Sequence, residues 1–583
     1  MSVRPPYILL DDQISHALRY YQNPVDILYA HTADDVDACF DALTHYHAQG
    51  YHIAGYASYE LGFALEPKFA KQARKTSDTP LMCFGIFEQV SDTPPIDCLY
   101  TAAPAELTLR PEWTLQDYTQ RFEKVIAYIK AGDVYQINLT FPLKGTYDGT
   151  AAQLYASLRR RQKGAYGGIV SLGENHADII SLSPELFFRN DDNQLTLKPM
   201  KGTRPRQAEA EADQAIRQDM QADIKSRAEN LMIVDLLRND ISRVCKAGTV
   251  EVPELFTLET YPTLHQMTSI VTGQLKTDAT FHDMFKSLFP CGSVTGAPKI
   301  RAMEIIDELE DRPRDAYCGS MGYIDPDGQM CFNVSIRTLT LKDNSLSYNV
   351  GSGIVLDSDV TDEYEECLLK ADLLKPVESQ LIETFRWEPE TGIPYFDRHL
   401  ARLSRSAHIL GYAYDASRIR QKLDQVLSEH TKAQRVRLAL SADGQVTLSS
   451  EDYRPLQEPV PIALSSVPLT RNFQTTAHKI SSRDFYDGER ERIKAQTGAQ
   501  EVIFNNTDGH LCEGSFTSLF IEKAGELLTP AIDCGLLPGI LREDLLATKK
   551  VREAHLTVSD LYAADKIYIG NALRGLMRAK FIN

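Results

Sequence analysis

The pattern of the chain restarts once. A helical run, DEYEECLLKADLL, closes at Lys375-Pro376, and a new pattern opens at LIETFRWEPETGIPYF, whose two strands flank a turn over Glu388-Pro389-Glu390-Thr391-Gly392. Proline ends a helix because it offers no N–H and crowds the residue before it. A chain of 583 residues is in any case too long for one ordinary core. The break therefore predicts two domains, residues 1–374 and 375–583, each long enough to fold around a core of its own.

From residue 7 to 365, β-rich runs such as HIAGYASYE, ADIISLSPELFFR and LSYNVGSGIVL alternate with helical stretches such as YTQRFEKVIAYIKAG and SRAENLMIVDLLRND. That alternation predicts a large α/β or α+β unit. The second unit runs through a helix, HLARLSRSAHIL, and strands RVRLALS, QVTLSS, EVIFNN and SLFIEK. No repeat or low-complexity tract interrupts either half, which excludes solenoids and disordered tails.

With 43% hydrophobic and 24% charged residues, the composition is that of a soluble globular protein. No apolar run of about eighteen residues could span a bilayer. The start, MSVRPPYILLDDQ, lacks the features of a secretory signal, so a cytoplasmic location is expected. Ten cysteines stand singly without a CxxC pair, which argues against a disulfide framework or a structural zinc site. A net charge of −18 argues against binding to nucleic acid or to an anionic membrane. An anionic substrate would need local basic residues.

One such residue is Lys201 in LTLKPMKGTRPR, where a short apolar strand runs into a Gly-Thr turn. By itself this lysine reads as a solvated strand end. Segment 290–306, PCGSVTGAPKIRAMEII, is a Gly/Ser/Thr-rich turn leading into a helix. Gly292 and Gly296 allow close backbone approach to a ligand, and a helix start offers free N–H groups to an anion. With GDVYQINL (132–139), SPELFF (183–188), KGTRPR (201–206), AENLMIVDLLRND (228–240), NVSIRT (333–338), GSGIV (351–355) and EYEECLLKA (363–371), this segment resembles the chorismate-utilising enzymes. That family includes anthranilate, aminodeoxychorismate and isochorismate synthases, and the resemblance covers residues 7–375.

The resemblance implies a two-layer β-sandwich with helices and a site for chorismate, a dicarboxylate that calls for cationic and N–H donors. It places Arg337, Tyr317, Gly351 and Gly353 at carboxylate-binding positions, Thr203 and Thr295 among the substrate-binding residues, and Lys299 and Lys370 in binding roles. It implies Mg²⁺ held by Glu229, Glu363 and Glu366; the last two are three apart and share a helix face, and hard oxygen ligands suit Mg²⁺. Some members carry a further glutamate where this chain has Ser226. His265 matches an active-site histidine. Lys201 stands where members resembling aminodeoxychorismate synthase carry lysine and those resembling anthranilate synthase carry alanine. A lysine held among apolar neighbours and near other cations has a lowered pKa and can act as a nucleophile. The resemblance implies that Lys201 attacks C2 of chorismate and expels the C4 hydroxyl, after which ammonia adds at C4. Gln136 stands where isochorismate synthases have a water-activating lysine, which disfavours hydration at C2. No cysteine context resembles a glutaminase nucleophile, so a separate glutamine amidotransferase subunit or free ammonia is expected.

In the second unit DRHLARL (397–403), AHKISSRDFYDGER (477–490), NTDGHLCEGSFTSLF (506–520), CGLLPGILREDLL (534–546) and IGNALRGL (569–576) resemble the fold-type IV pyridoxal-phosphate enzymes. That family includes branched-chain and D-amino-acid aminotransferases and aminodeoxychorismate lyase, and the resemblance covers residues 381–576. It implies that Lys479 forms the Schiff base with pyridoxal 5'-phosphate and then moves the proton, and that Glu513 pairs with the pyridine nitrogen. It implies that Arg402, Gly539 and Ile540 hold the phosphate and that Asn571 joins the cofactor site. Ser518 and Leu541 depart from the usual pattern, which bears on substrate preference. Enzymes of this type commonly dimerise, so a homodimer through this domain is an expectation.

A lyase acting on the C4 amine would release pyruvate and leave 4-aminobenzoate, the aromatic building block of folate. Joining it to the synthase raises the local concentration of its substrate. The sequence therefore points to a bifunctional enzyme, chorismate amination followed by pyruvate elimination. One alternative is an anthranilate synthase-like domain fused to an amino-acid aminotransferase; another is that one half is a noncatalytic domain that binds a partner or a regulatory ligand, against which the presence of both lysines, Lys201 and Lys479, stands.

Overall fold

Proline sets the strand limits in the first unit. Pro184 cuts ADIISLSPELFFR into strands Asp178–Ser183 and Leu186–Asp191, and the two pieces enter different sheets. In the computed structural model, residues 1–99 with 103–375 form one compact unit and residues 376–583 a second. The structure describes all residues except 1–4, 14, 16, 70–76, 96–97, 100–106, 160–164, 174–175, 207–209, 261–263, 375–378, 429, 470–477 and 583. The Lys375-Pro376 pair, where the boundary is expected, lies outside the described residues.

The first unit contains a nine-stranded and a ten-stranded sheet. In the nine-stranded sheet Gln136–Tyr147 lies between the short strand Gly296–Ala297 and the long strand Ser345–Ile354. Ile8, Leu10, Val170 and Ile179 from this sheet meet Ala54, Tyr56, Cys83, Phe87 and Met321 from the other in one buried cluster, so the core lies between two layers. The sandwich expected from the sequence is the observed architecture. Helices Leu115–Ala131 and Val360–Lys370 pack on the Gln136–Tyr147 and Ser345–Ile354 strands, and Ile224–Ser242 packs on Met200–Pro205 and Leu264–Gln274.

KGTRPR is not a turn. Met200–Pro205 is a strand paired with Leu264–Gln274, and its register shifts at Gly202, with Lys201 opposite Met267 and Thr203 opposite Gln266. Gly202 has φ 69°, the left-handed conformation of a glycine bulge. A Cβ there would lie 3.1 Å from Ser226 Oγ, so the backbone closes onto helix Ile224–Ser242. The bulge keeps the strand paired while changing where Lys201 points.

The second unit has a three-stranded sheet of Leu381–Trp387, Gln434–Leu440 and Val446–Asp452, whose core is shared with helices Phe396–Leu410 and Ala416–Leu427. An eight-stranded sheet forms the rest, around Val460, Ile462, Ile503, Leu519, Ile521 and Ile569. The expected second strand after Gly392 does not form. Pairing there is the single bridge Glu388↔Gly392, and a helix begins at Phe396. Pro394 removes a ladder donor, and Leu400, Leu403 and Ala407 recur at helical spacing to fill the core. Among the described residues no helix is long and apolar enough to cross a membrane.

Candidate active sites

In the first unit the strand pairing Gly353↔Asn138 brings Gly353 against Gln136, the first residue of its strand. A Cβ on Gly353 would lie 2.4 Å from Gln136 Nε2 and 3.5 Å from Lys201 Nζ. Absence of a side chain at 353 leaves room for both the Gln136 amide and the Lys201 amine over that position. Gln136 is buried, and among the described residues its Oε1 has no hydrogen-bond partner. Lys201 Nζ lies 3.8 Å from Glu229 Oε2, on helix Ile224–Ser242. Among the described residues the charged group that pairs with Lys201 is thus a carboxylate, where sequence reasoning looked to cations.

A second carboxylate is one that sequence reasoning missed. Burial pushes Glu185 up to about 7, against the opposing pull of Ser293, the Lys201 charge and the Met200 N–H. Its Oε1 is buried without a hydrogen-bond partner among the described residues. The signal was a glutamate directly after Pro184 in the apolar run SPELFF, which has no reason to be there as packing.

Arg337 adopts φ 53°, unusual for a side-chain-bearing residue. Burial lowers its proton affinity, Tyr348 opposes that, and among the described residues no carboxylate pairs with it. A buried guanidinium of this kind is a ready anion site. Tyr317 is buried, with Arg314 and Tyr348 among the charged and phenolic groups acting on it. Lys370 Nζ donates to the Gly351 carbonyl at 2.7 Å and pairs with Glu366 at 2.7 Å, which ties helix Val360–Lys370 to the Gly351–Gly353 backbone.

Other candidates have partners of their own. Lys299 Nζ pairs with Asp240 at 2.6 Å and donates to the Leu288 carbonyl at 2.9 Å. The Thr295 hydroxyl donates to the carbonyls of Cys291 and Gly292, both at 3.2 Å. His265 is fully buried, with Nε2 2.9 Å from Asp213 Oδ1 and Nδ1 3.0 Å from Thr260 Oγ1. Thr203 is described through its backbone pairing with Gln266 alone; its side chain lies outside the described residues.

Glu229, Glu363 and Glu366 offer the hard oxygen donors that Mg²⁺ prefers. Glu363 accepts from Ser358 Oγ at 2.7 Å, and Glu366 is the partner of Lys370. Among the described residues the three do not close into a group with all ligand oxygens within 4.8 Å of one another. The donor chemistry fits the ion, with further oxygens required to complete its shell.

In the second unit the Lys479 carbonyl accepts from Ile382 N at 2.8 Å, and Ile480 bridges Leu381, so the lysine hangs from the small sheet. Burial lowers Lys479 to about 7; Glu383 opposes this, and Arg402, Arg483 and Arg437 reinforce it. Arg402 is itself buried and held by Glu383, from Nε at 2.8 Å and Nη2 at 2.7 Å, while Nη1 donates to the Pro538 carbonyl at 3.0 Å. Burial alone would raise Glu383, but Arg402 and His399 hold it well below the usual carboxylate range. Pro538 leads to Gly539, the N-cap of helix Ile540–Ala547, so the buried guanidinium and the helix start adjoin.

Glu513 is pushed up to about 7 by burial, against Tyr486 and Arg483. Tyr486 Oη donates to Glu513 Oε1 at 2.9 Å and Leu537 N to Oε2 at 3.2 Å. Glu383, Arg483 and Tyr486 were not singled out from sequence, although SSRDFYDGER (481–490) places two aromatics and two arginines just after Lys479. Asn571 is engaged by loops, donating to the Phe516 carbonyl at 3.1 Å and accepting from Arg574 N at 3.0 Å. Three arginines and a helix N-terminus near a lysine that burial lowers to about 7, with a buried carboxyl at Glu513, fit a phosphate-bearing pyridine cofactor.

Residues 88–376 match the family described as chorismate binding enzyme, and residues 380–582 match amino-transferase class IV. Aminodeoxychorismate synthase component 1 of Klebsiella aerogenes is 41% identical over 290 residues, 50% of this chain and 63% of that protein. Anthranilate synthase component 1 of Pseudomonas putida is 38% identical over 266 residues, 46% of this chain and 54% of that protein. The crystal structure of anthranilate synthase component I from Streptococcus pneumoniae TIGR4 aligns with a TM-score of 0.53 at 24% identity, covering 64% of this chain and 94% of that one. That likeness shows the fold of the first unit. The chain spans less than two thirds of the length of these curated relatives.

Proposed function

The chain belongs to the chorismate binding enzymes over residues 88–376 and to the class IV aminotransferases over residues 380–582, and on that premise we propose that it makes 4-aminobenzoate from chorismate. The observation that carries the reading is Lys201 Nζ, set against Gln136 and Gly353 and beside Glu229. A nucleophilic lysine at that point directs amination to C4.

Arg337 and the backbone at Gly351 and Gly353 take the substrate carboxylates. Lys201 Nζ bonds to C2 while the C4–O bond breaks, and Glu185, still protonated near neutral pH, gives its proton to the departing hydroxyl. Ammonia then bonds to C4, the C2–N bond to Lys201 breaks, and the lysine is regenerated. Chorismate plus ammonia thus becomes 4-amino-4-deoxychorismate plus water. Gln136 orients but cannot serve as a base for water. Glu229, Glu363 and Glu366 would hold Mg²⁺, which supplies positive charge against a substrate carboxylate. Ammonia comes from glutamine through a separate amidotransferase subunit, as the component naming of the relatives supports.

In the second unit Arg402 and the N–H groups of Gly539 and Ile540 would hold the phosphate, and Glu513, fixed by Tyr486 and Leu537, would pair with the ring nitrogen. Pyridoxal phosphate supplies an electron sink when bound. Lys479, neutral above about pH 7, removes the proton from C4 of aminodeoxychorismate. The C3–O bond breaks, enolpyruvate takes up a proton to become pyruvate, and the ring becomes aromatic.

The test is a chromatographic product assay with chorismate, Mg²⁺, pyridoxal phosphate and an ammonium salt. The unaltered chain should give 4-aminobenzoate, Lys479→Ala should stop at aminodeoxychorismate, and Lys201→Ala should abolish amination at C4. Formation of 2-aminobenzoate by the unaltered chain would overturn the reading.

A further inference from the structure

We infer that Asp533, Cys534 and His555 bind a divalent cation of the zinc type, at a site separate from both candidate active sites. The parallel pairing of Glu526–Pro530 with Arg552–Ala554 makes it possible: Pro530 stands opposite Ala554, so the residues that follow each strand emerge side by side. The turn Ile532–Cys534 then sets Asp533 and Cys534 beside His555. The Cys534 thiol, a carboxylate oxygen of Asp533 and a ring nitrogen of His555 all lie within 4.8 Å of one another. His555 Nε2 already faces Asp533, at 3.0 Å from Oδ1. A tetrahedral ion with bonds of about 2.0–2.3 Å keeps its ligand atoms roughly 3.3–3.8 Å apart, so small side-chain rotations close the site.

Thiolate, imidazole and carboxylate together suit zinc and not Mg²⁺, which prefers oxygen alone. A further nitrogen is at hand: the His510 ring lies 5.2 Å from that of His555, and its Nδ1 is buried with no hydrogen-bond partner among the described residues. Binding would release the thiol proton of Cys534 as the metal–sulfur bond forms. The ion would also stiffen the turn that serves the cofactor site. The Cys534 carbonyl accepts from Cys512 Sγ at 3.2 Å, Cys512 precedes Glu513, and Leu537 three residues on donates to Glu513.

The test uses the full chain loaded with pyridoxal phosphate and titrated with Co²⁺ as the probe. A thiolate-to-cobalt charge-transfer band should grow to saturation at one equivalent, and added Zn²⁺ should erase it. Cys534→Ser should remove the band, and Asp533→Asn, at an exposed position, should weaken Co²⁺ binding roughly tenfold or more. Should Cys534→Ser fail to fold, Asp533→Asn and the equally exposed His555→Ala decide. No band in the unaltered chain, a band that survives in Cys534→Ser, or unchanged affinity in Asp533→Asn would overturn the site and leave an ordinary Asp533–His555 ion pair.

Discussion

Replacing Glu185 by glutamine separates a catalytic proton donor from a buried structural carboxyl. Glu185 keeps its proton to about pH 7 where a free glutamate loses it at 4.5, because burial outweighs Ser293, Lys201 and the Met200 N–H. At about 1.36 kcal/mol per pH unit that difference is roughly 3 kcal/mol. The sign follows from proton counts. Between pH 4.5 and about 7 the folded chain holds a proton that the unfolded chain has released, so this group's contribution to stability falls as pH rises through that window. Glutamine cannot ionise, so at pH 8 Glu185→Gln should be more stable by up to about 3 kcal/mol, a rise of several degrees in Tm. Catalysis should move the other way. Loss of a positioned general acid costs about a hundredfold to ten-thousandfold in rate. Chorismate consumption, followed from pH 6 to 9 at constant free ammonia, should show in the unaltered chain an alkaline limb near pH 7. In Glu185→Gln that limb should vanish along with most of the rate. A variant that keeps more than about a tenth of the rate and the same limb would refute the assignment.

Arg337→Met should lower kcat/KM for chorismate roughly thirtyfold to a few thousandfold, the about 2–5 kcal/mol of a lost buried charge contact, without lowering Tm, because an unpaired buried cation is removed. Steady-state kinetics and a thermal melt read both halves of that expectation. Pyridoxal phosphate should enter the cofactor-free chain faster as pH rises to about 7 and no faster beyond, since Lys479 is neutral from there upward; absorbance at the cofactor band follows it. The same depressed lysine binds no proton between about 7 and 10.5 where the unfolded one does, so its contribution to stability rises across that window. Glu383→Gln strands Arg402 as a buried charge and should destabilise the second unit by about 3–5 kcal/mol, with Glu383→Met plus Arg402→Met recovering much of it; denaturant melts followed by circular dichroism decide.

Sequence pattern made the layered first unit and the strand-rich second unit legible because periodicity and proline act locally. The places it misread are those where tertiary packing decides. KGTRPR looks like a turn by composition, yet pairing with Leu264–Gln274 turns Gly202 into a bulge. IPYF looks like a returning strand, yet burying Leu400 and Leu403 favours a helix from Phe396. Site residues divide in the same way. Lys201, Gln136, Gly353 and Glu229 are scattered in sequence and the structure gathers them, while Lys299 and Thr295 have hydrogen-bond partners that no motif reveals. Glu185 lay inside a quoted motif, but its role depends on burial, which a single sequence does not display. The Asp533–Cys534–His555 group has no spacing pattern at all, because a parallel strand pair creates it.

The two lysines are prepared for their tasks by opposite surroundings. Lys201 has carboxylates for neighbours, Glu229 at 3.8 Å and Glu185 within electrostatic reach, and on the proposed reading Glu185 is the donor for the departing hydroxyl. Lys479 has three arginines and one carboxylate for neighbours, and burial with Arg402, Arg483 and Arg437 outweighs Glu383 and lowers it to about 7 without a dedicated base. That difference suits the chemistry. An amine that adds to a dicarboxylate ring and is later expelled needs proton traffic close by. An amine that must first be free of its proton, and then accept one from carbon, needs instead a cationic pocket that also attracts the cofactor's phosphate. A second carboxylate beside Lys479, introduced by Arg483→Glu, should add to the pull of Glu383, raise the lysine pKa and slow pyridoxal phosphate entry at pH 7, while leaving chorismate consumption unchanged.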